Sequence, residues 1–428
     1  MKNIIIEPLR DSWPSLVERP LTDTRELSIV VKKILNDVKE NKDSAITRYA
    51  LQFDGYSPSS LLVTPQEIAD SENELGAELK DAIKLAKKNI EKFHKAQRVK
   101  KLVKIQTADG VTCWRKSVPL ERVGLYIPGG SAPLFSTLLM LAIPAKLAGC
   151  TNIAICTPPQ AGEKIHPAIL YVAKILGLSE IYKTGGAQAI AALAYGTESI
   201  QKVDKIFGPG NNFVTYAKKL VSNDGVAIDM LAGPSELAVY ADKTCISSFV
   251  AADLLSQAEH GADSQVFLVS NKADVIESVI FEINHQMDSL PRKDIINQSL
   301  LHSRYILIEE VERAFELLNY YAPEHLIIAS RNANKFAKLV KNAGSVFLGN
   351  YSSESCGDYA SGTNHSLPTN GTSKTVSGVS VDSFVKKITF QSVKKKGIKS
   401  IGPSVEILAE AEGLAAHKNA VTIRLKSL

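Results

Sequence analysis

VGLYIPGGSAPLFSTLLMLAIPAKLAGCTNIAICTP, residues 123–158, alternates two kinds of apolar run. VGLYIP is short and closed by proline and glycine, the length and bounding of a strand buried on both faces. FSTLLMLAIPAKLAG, residues 135–149, is too long for a strand and stops on glycine, where helices take their caps. NIAICTP is again a strand. A strand, a helix and a second strand in so short a span make a βαβ unit, and repeated βαβ units make a parallel sheet.

The alternation continues to Met230, with EIYKTGG, KIFGPG and VAIDML as strands and HPAILYVAKILG, AQAIAALAYG and NNFVTYAKKLVSN as helices. A second stretch of the same kind runs from about Pro234 to Gly349, with strands ELAVYAD, SQVFLVS, RYILIEE, HLIIAS and SVFLG. Upstream, LSIVVKKILNDVKE and ELKDAIKLAKKNIEKFHKAQ carry helical periodicity. The expected fold class is α/β: two Rossmann-like parallel α/β domains, one inserted in the other, with a small N-terminal arm and a C-terminal helical tail. The expected boundaries are 1–20 for the arm, 21–122 plus 234–375 for the first domain, 123–233 for the inserted domain and 376–428 for the tail. SVEILAEAEGLAAHKNAV is expected to form the terminal helix, and 351–375 a Gly/Ser/Thr/Asn loop too long to be idle.

The 428 residues exceed what one small core serves, and 45% hydrophobic with 22% charged residues describes an ordinary globular chain. The net charge of +5 is scattered. Its denser runs (Lys87, Lys88, Lys92 and Lys95; Lys394–Lys396) lack interleaved aromatics, so they read as solvated faces and not as a nucleic-acid surface. Five cysteines, an odd number with no CxxC spacing, suit reduced thiols in the cytoplasm and argue against a disulfide framework or a Cys-rich zinc site. MKNIIIEPLRDSW has too short an apolar run for a signal peptide, and no apolar window of about 18 residues is present to span a membrane.

Chemistry-bearing side chains gather in four places. In SQAEHGADSQ (256–265), a helix running to 260 and capped by Gly261 would put Gln257 and His260 on one face and send Glu259 the other way, with Asp263 a turn acid. NYYAPEHLII places Glu324 and His325 side by side at the mouth of a strand, where a carboxylate and an imidazole can serve as an acid–base pair. CGDYASGTNHSLP offers Asp358 and His365 from a glycine-laced loop. EAEGLAAHKNA sets Glu412 and His417 five apart at the chain's end. Each stretch alone also has a plain structural account as a helix end, a turn or a surface loop. YIPGGSAP, TGGAQAI and FGPGNNFV each set glycine between a strand and a helix, an arrangement that lets backbone N–H groups approach a pyrophosphate. None is a full G-x-G-x-x-G, and no ribose-binding acid stands about 20 residues downstream. Cys150, at the end of an apolar helix and without a basic partner, reads as a packed small hydrophobe.

Taken in order, VGLYIPGGSAPLFSTLLMLAIPAKLAGC, GGAQAIAALAYGT, FGPGNNFVTYAKK, AIDMLAGPSE, LLSQAEHGADSQV, APEHL, GDYASGTNHSLPT and LAAHKNAV closely resemble the histidinol dehydrogenases over nearly the whole chain. The resemblance implies a zinc-dependent, four-electron oxidation of L-histidinol through bound L-histidinaldehyde to L-histidine with two NAD+, the last step of histidine biosynthesis. It implies zinc, one per subunit, on Gln257, His260, Asp358 and His417. It makes His325 the general base and Glu324 the activator of water, and it places Ser235, Gln257, His260, His325, Asp358, Glu412 and His417 against substrate. Tyr126, Gln188 and Asn211 fall at NAD-contacting positions. The family is an intertwined homodimer whose tail reaches the partner's site, which would make Glu412 and His417 act in trans. Ala262, Leu231 and Phe135 depart from the usual pattern but touch no proposed ligand. Two alternatives stand beside this one. A relative acting on another small amino or sulfonated alcohol would share the motifs, and a zinc hydrolase would leave the 123–233 unit without a task.

Overall fold

The structure is a computed structural model that describes residues 4–20, 25–56, 59–98, 102–129, 133–160, 163–231 and 233–428. Residues 130–132 of the first glycine turn lie outside them. In chain order the strands are β1 (Ile5–Ile6), β2 (Lys104–Ala108), β3 (Val111–Pro119), β4 (Arg122–Tyr126), β5 (Asn152–Thr157), β6 (Ile181–Lys183) and β7 (Lys205–Phe207). They continue as β8 (Ala227–Ile228), β9 (Glu236–Ala241), β10 (Gln265–Ser270), β11 (Arg304–Leu307), β12 (His325–Ala329), β13 (Ser345–Leu348) and β14 (Val385–Val393).

The opening stretch forms its βαβ unit. β4 pairs in parallel with β5, Val123 opposite Ile153, and the sheet extends in the order β6-β5-β4-β7-β8. The intervening helix, Phe135–Ala148, is buried from Ser136 to Ala145, which is why its sequence shows no polar stripe, and it ends on Gly149 at φ +99°. Helices Phe135–Ala148 and Pro167–Leu176 cover one face, while Gly186–Tyr195 and Asn212–Asn223 cover the other. Both faces of a parallel sheet are thereby withdrawn from water.

The second unit is a six-stranded parallel sheet in the order β1-β11-β10-β9-β12-β13. Its arm strand pairs Ile5 with Ile306, and Trp13, Leu16 and Val17 from the same arm enter the core beneath β9 and β12. The expected α/β class and the N-terminal strand are therefore both present.

The segment between them differs from the expected grouping. Helical residues 25–49 bury Val31, Ile34, Val38 and Ile46 against the helices of the five-stranded sheet, and Ala77–Ala96 buries Ile83 and Ile90 on its opposite face. Leu62 adds an antiparallel bridge to Tyr182 at that sheet's edge. The apolar stripes were legible, but a stripe does not state which sheet it covers.

The tail opens with β14, which pairs antiparallel along β3 and makes a three-stranded sheet with β2. It ends as a helical hairpin, Lys395–Ala411 and Ala415–Lys426, and not as one helix through SVEILAEAEGLAAHKNAV. Gly413 at φ +73° breaks it, a conformation that favours glycine. No helix among the described residues is long and apolar enough to cross a membrane.

Candidate active site

Parallel pairing of β9 with β12 sets His325 opposite Leu237, so Glu236 lies beside the Glu324–His325 pair at the amino ends of both strands. The Glu236 N–H donates to Glu324 Oε2 at 3.1 Å, and His325 Nδ1 lies 3.3 Å from the Glu236 carbonyl oxygen. Both side chains are buried. Burial pushes the Glu324 carboxyl well above the usual carboxylate range and drives the His325 imidazole down to about 3, so the ring is a neutral base at neutral pH.

Helix Ser247–Ala258 delivers Gln257 in its last turn, fully buried. The helix stops two residues short of the expected end. Glu259 is its cap in right-handed conformation, and Gly261 does not take a positive φ. Gln257 and His260 still meet, Nε2 to Nδ1 3.5 Å apart, because the chain turns with the His260 N–H on the Gln257 carbonyl. His260 stands at the exposed rim, where partial desolvation lowers its pKa.

The 351–375 segment is not wholly loop. Helix Glu354–Tyr359 starts on Ser353, whose Oγ accepts the Cys356 N–H at 3.3 Å. It presents Asp358, with Oδ1 3.7 Å from His325 Nε2, and also Glu354, with Oε1 3.7 Å from His325 Nδ1. Glu354 is the residue missed from sequence. Acids four apart just after a helix-capping serine share a face, and that spacing was its only signal. His365 links the two α/β units, with Nδ1 3.0 Å from the Asp358 carbonyl oxygen and Nε2 3.2 Å from Thr137 Oγ1.

One ligand atom each from His260, Glu354 and Asp358 lie within 4.8 Å of one another. Among the described residues Gln257 Oε1 and Glu354 Oε2 are buried without a hydrogen-bond partner, and burial raises Asp358 to about 7 and Glu354 well above its usual range. Orphaned acceptors and carboxyls starved of a counter-charge are what a cation would satisfy, and the N/O donor set suits zinc. His417 and Glu412 do not join the cluster within this chain. Both are exposed on the tail hairpin, which follows directly on β14 of the three-stranded sheet.

A cavity of about 150 Å³ joins the two units, lined by Gly208, Pro209 and Gly210 after β7 and by Ser235, Glu324 and His365. A second, of about 330 Å³, opens at the carboxyl ends of the five-stranded sheet and brings Tyr126, Gln188 and Asn211 together. There the Tyr126 hydroxyl accepts the Gly186 N–H at 3.1 Å, and Asn211 Oδ1 caps helix Asn212–Asn223 through the Val214 N–H at 3.1 Å. A larger depression, about 860 Å³, lies elsewhere, across the three-stranded sheet around Trp114 and Phe390. Cys150 is buried, and its thiol is pushed up to about 11 by desolvation, far from nucleophilic use.

A family model described as histidinol dehydrogenase matches residues 17–425. The chain is 55% identical over 425 residues to a histidinol dehydrogenase of Bacteroides fragilis, covering 99% of each. It is 52% identical over 415 residues to that of Campylobacter jejuni, covering 96% of each. A crystal structure of histidinol dehydrogenase from Elizabethkingia anophelis superposes with a TM-score of 0.97 at 52% identity, covering 99% of this chain and 98% of that one. With fold, motif order and length all in agreement, the chain belongs to the histidinol dehydrogenase family, NAD-dependent oxidoreductases of histidine biosynthesis.

Proposed function

We propose that the chain oxidises L-histidinol through bound L-histidinaldehyde to L-histidine, using two NAD+ in turn, in a homodimer whose active sites are shared between subunits. The observation that carries this reading is the meeting of Gln257, His260 and Asp358 with the Glu324–His325 pair around buried acceptors that have no partner among the described residues. Gln257, His260, Asp358 and His417 of the partner subunit would hold one zinc. When bound, the metal supplies a Lewis-acidic template for the amine and imidazole nitrogens of the substrate.

The chain's own residues perform the proton work. His325, neutral and with Nε2 unpartnered among the described residues, accepts the hydroxyl proton as hydride leaves the carbinol carbon. For the second oxidation a water must add to the aldehyde, and Glu324 stands beside His325 to take its proton; the resulting gem-diol loses hydride as the alcohol did. Ser235 shares the small cavity with Glu324, and Glu412 from the tail contacts the substrate in trans. The cavity holding Tyr126, Gln188 and Asn211 receives NAD and gives the first unit its task, which a zinc hydrolase would leave unfilled.

The dimer answers two further observations. The hairpin bearing His417 is exposed, and the three-stranded sheet leaves Ile105 at 59% and Phe390 at 38% exposure, apolar surface that a second copy would cover. The five cysteines are free, which fits a reducing cytoplasm. Subunit exchange tests the shared site. Glu324→Ala and His417→Ala proteins, each inactive, regain activity when mixed if the tail works in trans, and show no recovery if each chain completes its own site.

A further inference from the structure

The N-terminal arm reaches the acid–base pair through one side chain. Arg19 lays its guanidinium over the Tyr321 ring, 4.3 Å from the centroid, and donates from Nε and Nη2 to the two carboxylate oxygens of Glu236 at 2.5 and 2.8 Å. Nη2 also donates to the Tyr321 carbonyl at 2.7 Å, and Glu236 Oε1 takes a further hydrogen bond from the Asn370 N–H at 2.6 Å. The Glu236 side chain is 3% exposed and that of Arg19 16%. Desolvation offsets much of what such a pair contributes to stability, so the pair is better explained by the geometry it fixes. A two-point, planar pair fixes both distance and angle.

What it fixes is a peptide. Glu236 opens β9, directly after Ser235, where the ladder to β12 begins at Leu237 opposite His325. Its N–H donates to Glu324 Oε2 and its carbonyl faces His325 Nδ1, so one residue's backbone orients both members of the pair. A carbonyl only accepts, so the neutral imidazole carries its proton on Nδ1 and keeps the lone pair on Nε2, which has no hydrogen-bond partner among the described residues.

We propose that Glu236 is a positioning residue for the Glu324–His325 pair and that Arg19 holds it in register, coupling the N-terminal arm to turnover. The proposal rests on that pair carrying the proton transfers. The test uses the full-length, zinc-loaded protein as wild type, Arg19→Met, Arg19→Lys, Glu236→Gln and His325→Asn, measuring kcat, KM for L-histidinol, zinc content and melting temperature. Arg19→Met is expected to lower kcat by about tenfold to a hundredfold, the scale of a misplaced catalytic group, with KM within about threefold and zinc content intact. Arg19→Lys, which keeps the charge but makes a single-point contact, recovers part of the loss. An unchanged kcat, or a kcat that falls only together with KM and zinc content, overturns the proposal. Should Arg19→Met fail to fold, Glu236→Gln keeps the side chain's shape and replaces the ion pair by a neutral contact. A reduced kcat at unchanged KM then supports the tether, and an unchanged kcat overturns it. If His325→Asn retains full turnover, the acid–base pair itself is misassigned; if it is crippled while the Arg19 variants turn over normally, only the tether fails.

Discussion

His325 holds Nδ1 3.3 Å from the Glu236 carbonyl oxygen and leaves Nε2 without a hydrogen-bond partner among the described residues. That orientation fixes which nitrogen can accept a proton, while burial keeps the ring neutral down to a pH of about 3.

His325→Asn is therefore expected to lower turnover by about 10² to 10⁴-fold, the range for loss of a general base, with zinc content unchanged. Metal analysis beside initial rates checks both halves, and loss of zinc on this substitution would refute the role assigned.

Zinc affinity should depend on pH through Asp358. Its carboxyl is raised to about 7 by burial, and metal binds the ionised form, so below that pH a proton competes with the ion. Affinity is expected to fall about tenfold per pH unit below 7 and to level off above it. Competition titration across that range, repeated on Asp358→Asn, checks this, because the amide has no proton to lose and binding, though weaker, should depend less steeply on pH than in wild type. His260→Ala is expected to remove the metal, and an unaltered zinc stoichiometry would dismiss that ligand.

Gly208, in the third glycine turn, sits at φ +125°, and a Cβ there would run into the Tyr126 carbonyl. Gly208→Ala therefore has to displace the Tyr126 side of the proposed dinucleotide cavity, at a cost of about 1–3 kcal/mol for a strained backbone. The expected result is a raised KM for NAD+ with zinc retained. Unchanged NAD+ kinetics would mean that the turn does not shape the cofactor site.

Strands and helices were legible wherever one kind of residue dominates a run. Residues 123–158 announce a parallel sheet because every strand is apolar throughout, and both sheets formed as expected. What sequence could not supply was the partner of each apolar stripe. Ile83 and Ile90 carry the helical period, but nothing in it names the sheet of residues 122–228 as their cover. At the site, the bonding of Gln257 and His260 to one locus survives although the helix ends at Ala258, because a turn can do what a helical face was expected to do. Glu354 escaped notice because its capped helix lies in a stretch of Gly, Ser and Thr that composition alone marks as loop. His417 does not join the cluster within the single chain, which the proposed action across a dimer requires.

A zinc-dependent, two-step oxidation by this chain fixes a stoichiometry. Purified protein given limiting L-histidinol and excess NAD+ is predicted to yield two NADH and one L-histidine per substrate, to stop on removal of zinc by a chelator, and to recover when zinc is restored. One NADH per substrate with aldehyde accumulating, no NADH at all, or full activity in metal-free protein would contradict it.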